Sequence, residues 1–288
     1  MSATDRFSQI DPPTDAVANR SNLAREAILL MAMSVVGAIL EYPLALALKS
    51  IDRSEVARTL PFLIVTAALT GLIPAVLKSN ARLGLPGAPI IAARIAGERA
   101  TTSWRSIAAI ALRYALYAAL LGAAVLLVVI VPMMFLHPAG KPIQIPRSPM
   151  LNIAPGRIAG MGALVAIAAA VSEEIQFRLV LMAVFAWIVA RISRADRPGK
   201  GALWIATILQ AYAFGMLHLL PAAGPLIHHK LGLLIGGLLM PQTWEGVVFG
   251  RLYIKRGLEA SILAHGMMDV GLFVLAALGM LQSHLGAG

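Results

Sequence analysis

The chain alternates long apolar runs with short polar and basic segments. Apolar runs span Ala27–Leu48, Thr59–Leu77, Ser106–Leu136, Gly156–Ile192, Gly201–Leu220, Leu231–Ile254 and Leu258–Leu281. About 20 apolar residues suffice to cross a bilayer's hydrocarbon, where only helices and closed barrels satisfy the backbone. The runs are continuous rather than alternating, which selects helices. The predicted fold class is therefore all-α: a polytopic transmembrane helix bundle of about 7–8 membrane spans, the eighth arising if one long run is split. The fourth run is long enough to kink or project beyond the bilayer. The sixth contains Pro241 and is expected to break there. No internal repeat is visible.

The segments between the runs complete the outline. Residues 1–26 are polar, carry Pro12-Pro13 and lack the pattern of a cleaved signal peptide, so they read as a cytoplasmic tail. Residues 27–155 form the N-terminal helices and loops, 156–281 a second transmembrane unit, and 282–288 a C-terminal tail. His137–Gly156 holds Pro138, Pro142, Pro146, Pro149 and Pro155 and reads as extended. Within the basic stretch Lys78–Arg105, Ile90–Arg99 is expected to form an interfacial helix with Arg94 and Glu98 paired one turn apart.

Composition narrows the function classes. Of 288 residues, 59% are hydrophobic and 13% charged, and the mean hydropathy is +0.79. A water-soluble globule of this size lacks the interior to hide that much apolar surface. Cysteine is absent, which removes disulfides, thiol nucleophiles and Cys-based zinc sites. The net charge of +10 does not point to nucleic acid, because the basic residues are scattered and sort by side. With the N-terminus inside and seven crossings, the inner segments hold 15 Lys and Arg and the outer ones 7. That bias favours N-in, C-out. Trp104, Trp187 and Trp204 fall near the cytoplasmic ends of their spans, as an interfacial aromatic belt requires. The expected location is the inner (cell) membrane of a bacterium. The expected partners are membrane lipids and a membrane-bound protein or peptide substrate, with no nucleic acid.

Ionisable residues inside such spans are costly and signal function by default. The fourth run carries Glu173-Glu174 and Arg178, the fifth Phe214 and His218, the seventh His265 and Asp269. Glu174 and Arg178 are i, i+4 and pair along a helix, while Glu173 is turned about 100° away. The same i, i+4 spacing points His265 and Asp269 one way. Such a pair suits two metal ligands or two donors to one oxyanion. Glu173 and His218 each lie 14 residues from an interfacial Trp, which puts them at equal depth; His265 lies only nine from Arg256. That mismatch requires helix tilt or a recessed turn between the sixth and seventh spans.

Glu173-Glu174-x-x-x-Arg178, Phe214-x-x-x-His218 and His265-x-x-x-Asp269 resemble the three motifs of the CPBP family of intramembrane proteases. That family includes type II CAAX prenyl endopeptidases and bacterial relatives linked to bacteriocin processing and immunity (the ABI group). The stretch Gly250–Gly257 before the last motif is similar too, and the resemblance covers roughly residues 156–281. It implies an intramembrane endopeptidase acting on a membrane-associated or lipid-anchored polypeptide. By that resemblance Glu173 is the general base, acting with His218 on a water; His265 and Asp269 stabilise the oxyanion. Glu174 and Arg178 hold the helix geometry or help bind substrate, and Phe214 lines the pocket. Leu179 stands where the family often has Gly, and Asp269 where many members have Asn. An ionised Asp has no hydrogen to donate, so that role needs it protonated.

Chemistry independent of the family leaves two mechanisms. A glutamate and a histidine sharing a water supply a base and a proton shuttle, with no cofactor required. Alternatively His218, His265 and Glu173 hold a zinc ion, although no His-Glu-x-x-His signature is present. His228-His229 reads as a solvated loop pair. Small residues Gly160, Gly162, Gly236, Gly237, Gly246 and Gly250 would permit close helix packing around a polar cavity. Two other functions compete. One is a non-catalytic scaffold or immunity factor. The other is a proton-coupled transporter with Glu41, Glu173, Glu174, Arg178 and His218 as a relay. Against the transporter, the ionisable cluster lies in one half of the chain and no repeat pairs it.

Overall fold

The structure, a computed structural model, describes residues 20–48, 63–100, 102–136, 155–219 and 229–285. The polar tail before residue 20, the side chain of Glu41, His228 and nearly all of the Pro-rich stretch lie outside the described residues. Among the described residues the architecture is wholly helical. Helix α1 is Arg20–Leu48. Helices α2 (Leu63–Gly71) and α3 (Ile73–Leu83) meet at a 57° bend. A short α4 (Pro89–Ile95) precedes α5 (Trp104–Leu136). Helix α6 (Pro155–Glu174) runs through a π-helical segment, Ile175–Leu181, into α7 (Met182–Ile192). Then come α8 (Lys200–Leu219), α9 (Lys230–Leu239), α10 (Pro241–Arg256) and α11 (Leu258–Leu285).

Among the described residues, five helices are long and apolar enough to cross a membrane, or seven if each bent pair is one span. The seven apolar runs of the sequence map onto these elements one for one. The break in the sixth falls at Pro241, where α9 and α10 diverge by 54°. Proline sits at the first position of α10, where its missing N–H costs nothing, and cannot continue α9.

Burial is inverted relative to a water-soluble protein. Large apolar side chains face outward, Leu120 and Leu231 at 69% exposure among them, while Glu173, Glu174, Gln176, Arg178, Gln210, Glu245 and His265 are buried. This is the sorting a lipid solvent imposes, because hydrocarbon accepts leucine and rejects unpaired charge. Trp104, Trp187 and Trp204 are partly exposed, and Arg191 and Arg251 stand over the rings of Trp187 and Trp204 at 5.9 and 5.1 Å. One apolar cluster joins α1, α3, the π segment and α7; another joins α5, α10 and α11. Helix α6 packs against both α1 and α11 and so lies between the two.

Glycines bring the helices close at several of the expected places. A Cβ on Gly246 would lie 2.9 Å from the Ala211 Cα, one on Gly162 would overlap the Phe273 ring, and one on Gly237 would strike Met216. Gly160, by contrast, faces open space.

Two details differ from the sequence reading. The helix expected over Ile90–Arg99 stops at Ile95, since Gly97 adopts a left-handed φ of 74° and closes the last turn. Glu98 therefore falls beyond the helix, and the i, i+4 arrangement with Arg94 does not form. Its first turn is also tied inward: Glu259 Oε1 accepts hydrogen bonds from the Ile90 and Ile91 N–H groups, each at 2.8 Å. The second difference resolves the depth mismatch. Gly257 turns the chain at φ 88°, Leu258 N–H donates to Gly87 O at 2.9 Å, and Leu258 and Glu259 are buried beneath α4. The turn between α10 and α11 is thus recessed, which brings His265 to the depth of Glu173 despite its shorter helical distance from the basic end.

Candidate active site

The site is built where α6 passes into the π-helical segment. A π segment widens the turn and offsets the residues after it, and such segments recur at functional sites. Ile175 to Val180 are all buried here. Arg178 Nε lies 3.1 Å from Glu174 Oε2, with both side chains fully buried. The guanidinium carbon of Arg178 stands 4.6 Å from the Phe214 ring centroid, with Phe177 and Phe249 also flanking it. Three aromatic faces and one carboxylate thus replace water around this cation. The π segment is also held from α2, since Thr66 Oγ1 donates to Gln176 Oε1 at 3.3 Å.

Glu174 is the hub that the pairing with Arg178 alone does not reveal. Its Oε2 also accepts a hydrogen bond from Ser261 Oγ, and its Oε1 lies 2.9 Å from His265 Nδ1. A carboxylate accepts, so His265 Nδ1 carries the hydrogen toward Glu174. The ring is further fixed by stacking on Phe249, centroids 5.1 Å apart and planes at 23°. The other nitrogen, Nε2, is thereby aimed at Glu173 and Asp269: it stands 3.7 Å from Glu173 Oε2 and 3.3 Å from Asp269 Oδ2.

His218 arrives from α8 on the other side. Its Nδ1 lies 3.0 Å from Phe214 O, which only a donor can satisfy, so Nε2 presents a lone pair. That Nε2 is 3.9 Å from Glu173 Oε1. Phe214 makes T-shaped ring contacts with both His218 and His265, centroids 4.6 and 5.9 Å apart. Helix α8 is locked to α10 by Gln210 Nε2, which donates to Gly246 O at 2.9 Å. The Glu173 and His265 side chains are 7% and 4% exposed, but His218 and Asp269 are 32% and 23%. The cluster therefore opens along the His218–Asp269 side.

All seven residues singled out by the motifs are gathered here: Glu173, Glu174, Arg178, Phe214, His218, His265 and Asp269. The residues of the zinc alternative, His218, His265 and Glu173, are the same three side chains. Among the described residues no group of three or more His, Asp or Glu side chains stands close enough together to hold a metal ion as it is. Each histidine faces a different oxygen of Glu173, at 3.9 and 3.7 Å, and the two nitrogens of His265 face carboxylates. His229, at the N-cap of α9, is exposed.

Three neighbours of the cluster escaped the motif reading. Ser261 and Phe249 carry no charge and give no sequence signal. Glu245 does: it is an acid inside the sixth apolar run, the same warning that singled out Glu173.

Residues 155–271 match the family model described as type II CAAX prenyl endopeptidase Rce1-like. The matched stretch contains all three polar motifs, and it is the family that those motifs resemble. The match, less than half of the chain, begins at α6 and leaves α1 to α5 outside. Neither a curated protein nor a solved structure matches the chain. The apolar helices and the family match together mark a multi-pass membrane protein, and the family supports CAAX-type endopeptidase activity in general.

Proposed function

We propose that the protein is an intramembrane endopeptidase that hydrolyses a peptide bond of a membrane-associated or lipid-anchored polypeptide, using a water activated by Glu173 and His218. The observation that carries this reading is the placement of Glu173, whose two oxygens face imidazole nitrogens from two other helices at 3.9 and 3.7 Å. Those gaps exceed a direct hydrogen bond and suit one bridging water. Glu173 takes the water's proton as hydroxide attacks the carbonyl carbon, and His218 Nε2 shares the water and passes the proton to the leaving amine. His265, turned by Glu174 and held flat on Phe249, acts as the imidazolium: its Nδ1–H stays bonded to Glu174 and its Nε2–H is donated to the oxyanion beside Asp269. Glu174 and Arg178 orient that imidazole rather than meet the substrate. The cell membrane of a bacterium is the proposed location.

The test uses purified protein in liposomes with a fluorescence-quenched, S-farnesylated CAAX peptide as probe. Glu173→Ala and His218→Ala are each expected to lower kcat by about 10³-fold or more, with detergent melting curves like the parent's. Cleavage at the parent rate by either variant overturns the assignment. Cleavage is expected to survive exhaustive treatment with EDTA and phenanthroline; its loss, restored by adding zinc, would replace the glutamate mechanism with a metal one.

A further inference from the structure

The basic stretch Lys78–Arg105 has no part in the cluster around Glu173. Five of its residues are Lys or Arg, and only Glu98 is acidic. It holds the end of α3, all of α4 and the entry to α5. After α4 the chain folds back on itself: Gly97 N–H donates to Arg94 O at 3.2 Å and Glu98 N–H to Ala93 O at 2.8 Å. Ser103 then caps α5, its Oγ accepting the Ser106 N–H at 3.2 Å.

Between the end of α4 and the start of α5 lies a cavity of about 400 Å³, lined by Arg94, Arg99, Ala100, Thr102, Ser103 and Trp104. Sites for small ligands have roughly this size. Neither arginine makes an ion pair among the described residues, and Glu98, which is exposed, neutralises neither. The Ser103 oxygen already accepts a bond, which leaves its O–H to donate, and Thr102 adds a second hydroxyl. Two uncompensated guanidinium groups beside two hydroxyl donors suit a phosphate.

The place of the cavity in the fold names the source of that phosphate. Helix α4 is tied through Glu259 to the turn between α10 and α11, and α10 enters that turn past Arg251, which stands over Trp204. The cavity therefore lies at the end of the bundle where Trp and Arg side chains mark the headgroup level. From Trp104 a row of Leu112, Leu116 and Leu120 continues along α5 at multiples of four residues, each at least half exposed. A phospholipid with its phosphate in the cavity has its acyl chains along that row.

We propose that this cavity is a binding site for the phosphate head group of an anionic phospholipid, with Arg94 and Arg99 as a cationic clamp and Thr102 and Ser103 as hydroxyl donors. A choline head group would bring a third cation to the two already there, so the anionic lipid is selected. Free phosphate shares the same chemistry, but it makes no use of the leucine row. The site does not depend on the peptidase reading.

The test reads Trp104 alone, in the full-length protein carrying Trp187→Phe, Trp204→Phe and Trp244→Phe and reconstituted in phosphatidylcholine liposomes. Phosphatidylglycerol with brominated acyl chains is expected to quench Trp104 at a mole fraction more than about tenfold below that needed with brominated phosphatidylcholine. Arg94→Gln and Arg99→Gln should each lower this preference by about fivefold, the effect of one basic side chain at an anionic surface. Thr102→Phe fills the cavity while keeping both charges, and should abolish the preference. Arg191→Gln, at the same end of the bundle but outside the cavity, should leave it unchanged. Equal quenching by the two lipids, a preference that survives Thr102→Phe in folded protein, or an equal loss from Arg191→Gln overturns the proposal. The four side chains are exposed or half-buried, so melting curves in phosphatidylcholine are expected to match the parent's; should Thr102→Phe unfold, the arginine variants decide. Inorganic phosphate in excess, at constant ionic strength, should not displace the brominated lipid. Full displacement would assign the cavity to free phosphate and overturn the lipid as its source.

Discussion

Two spans of similar apolar appearance are used in opposite ways. Of the window Ile158–Ile192, 61% is buried inside the protein; of Trp104–Val131 in α5, 17% is. The buried span is the less apolar of the two. In water the order would be reversed, because burial there follows apolarity. In lipid a leucine gains nothing by turning inward, whereas a glutamate or arginine has nowhere else to go. Polarity thus decides which span becomes the centre. The buried span holds Glu173, Glu174, Gln176 and Arg178; α5 exposes Leu112, Leu116, Leu120 and Leu127.

The hardest way to break this contrast is to leave one charge of the buried span alone. Arg178→Ala removes the partner of a fully buried Glu174 and is expected to destabilise the protein by about 3–5 kcal/mol, read as a lowered melting temperature or loss of folded protein. Removing both charges in Glu174→Gln with Arg178→Met should recover most of that loss, since the uncompensated charge disappears. Activity should stay low in the double variant, because a neutral amide does not orient His265 as the carboxylate does. A double variant as unstable as Arg178→Ala would show that the pair stabilises the span by something other than mutual neutralisation.

The sequence made this contrast only half legible. The seven runs, the break at Pro241 and the three motifs are written locally, in hydropathy and in i, i+4 spacing. The π-helical segment is not, since Ile175–Leu181 has the composition of an ordinary α-helix and its widening depends on what packs around it. The bend after Gly71, by contrast, had a signal that was not read: Pro74 lies inside the run Thr59–Leu77 and opens the helix after the bend, as Pro241 does in the sixth run. Glu174 as the support of His265 joins residues 91 apart, and spacing within one helix carries no trace of such a contact. The recessed turn at Gly257 depends on Pro89, in the basic stretch after the second run, and on Glu259 in the seventh. What the sequence supplies is the set of groups that lipid would reject. Where they converge is decided by contacts between helices.

A smaller effect sharpens the contrast from the side of α5. Gly122 is the place where this span gives up its lipid-facing role and makes room for Glu245. Gly122→Val puts a branched side chain into that room and is expected to cost about 1–3 kcal/mol of stability through overpacking. A valine tolerated without loss of stability would mean that Glu245 is free to move. Ser261→Ala follows at about 1–2 kcal/mol, the expected cost of removing one donor from a buried carboxylate. Melting curves of the two variants, taken side by side, test that order.

The smallest effects come from a leucine pair that isolates the solvent argument itself. Leu179 is fully buried next to Arg178, and Leu120 is 69% exposed on α5. In water, truncating the buried leucine would lose both its transfer free energy and its packing. In a bilayer the transfer contribution nearly vanishes, because lipid is as apolar as the protein interior, and only the van der Waals loss around the cavity remains. Leu179→Ala is therefore expected to cost about 2 kcal/mol, at the low end of the range for buried leucines. Leu120→Ala has neither contribution: its neighbours are acyl chains that refill the space, and alanine keeps the helix intact. Its change should stay within about 0.5 kcal/mol. Unfolding titrations in mixed micelles measure both on one scale. A loss at Leu120 equal to that at Leu179 would mean that α5 meets a protein surface there and not lipid, and the outward face of this span would have to be assigned to a partner helix.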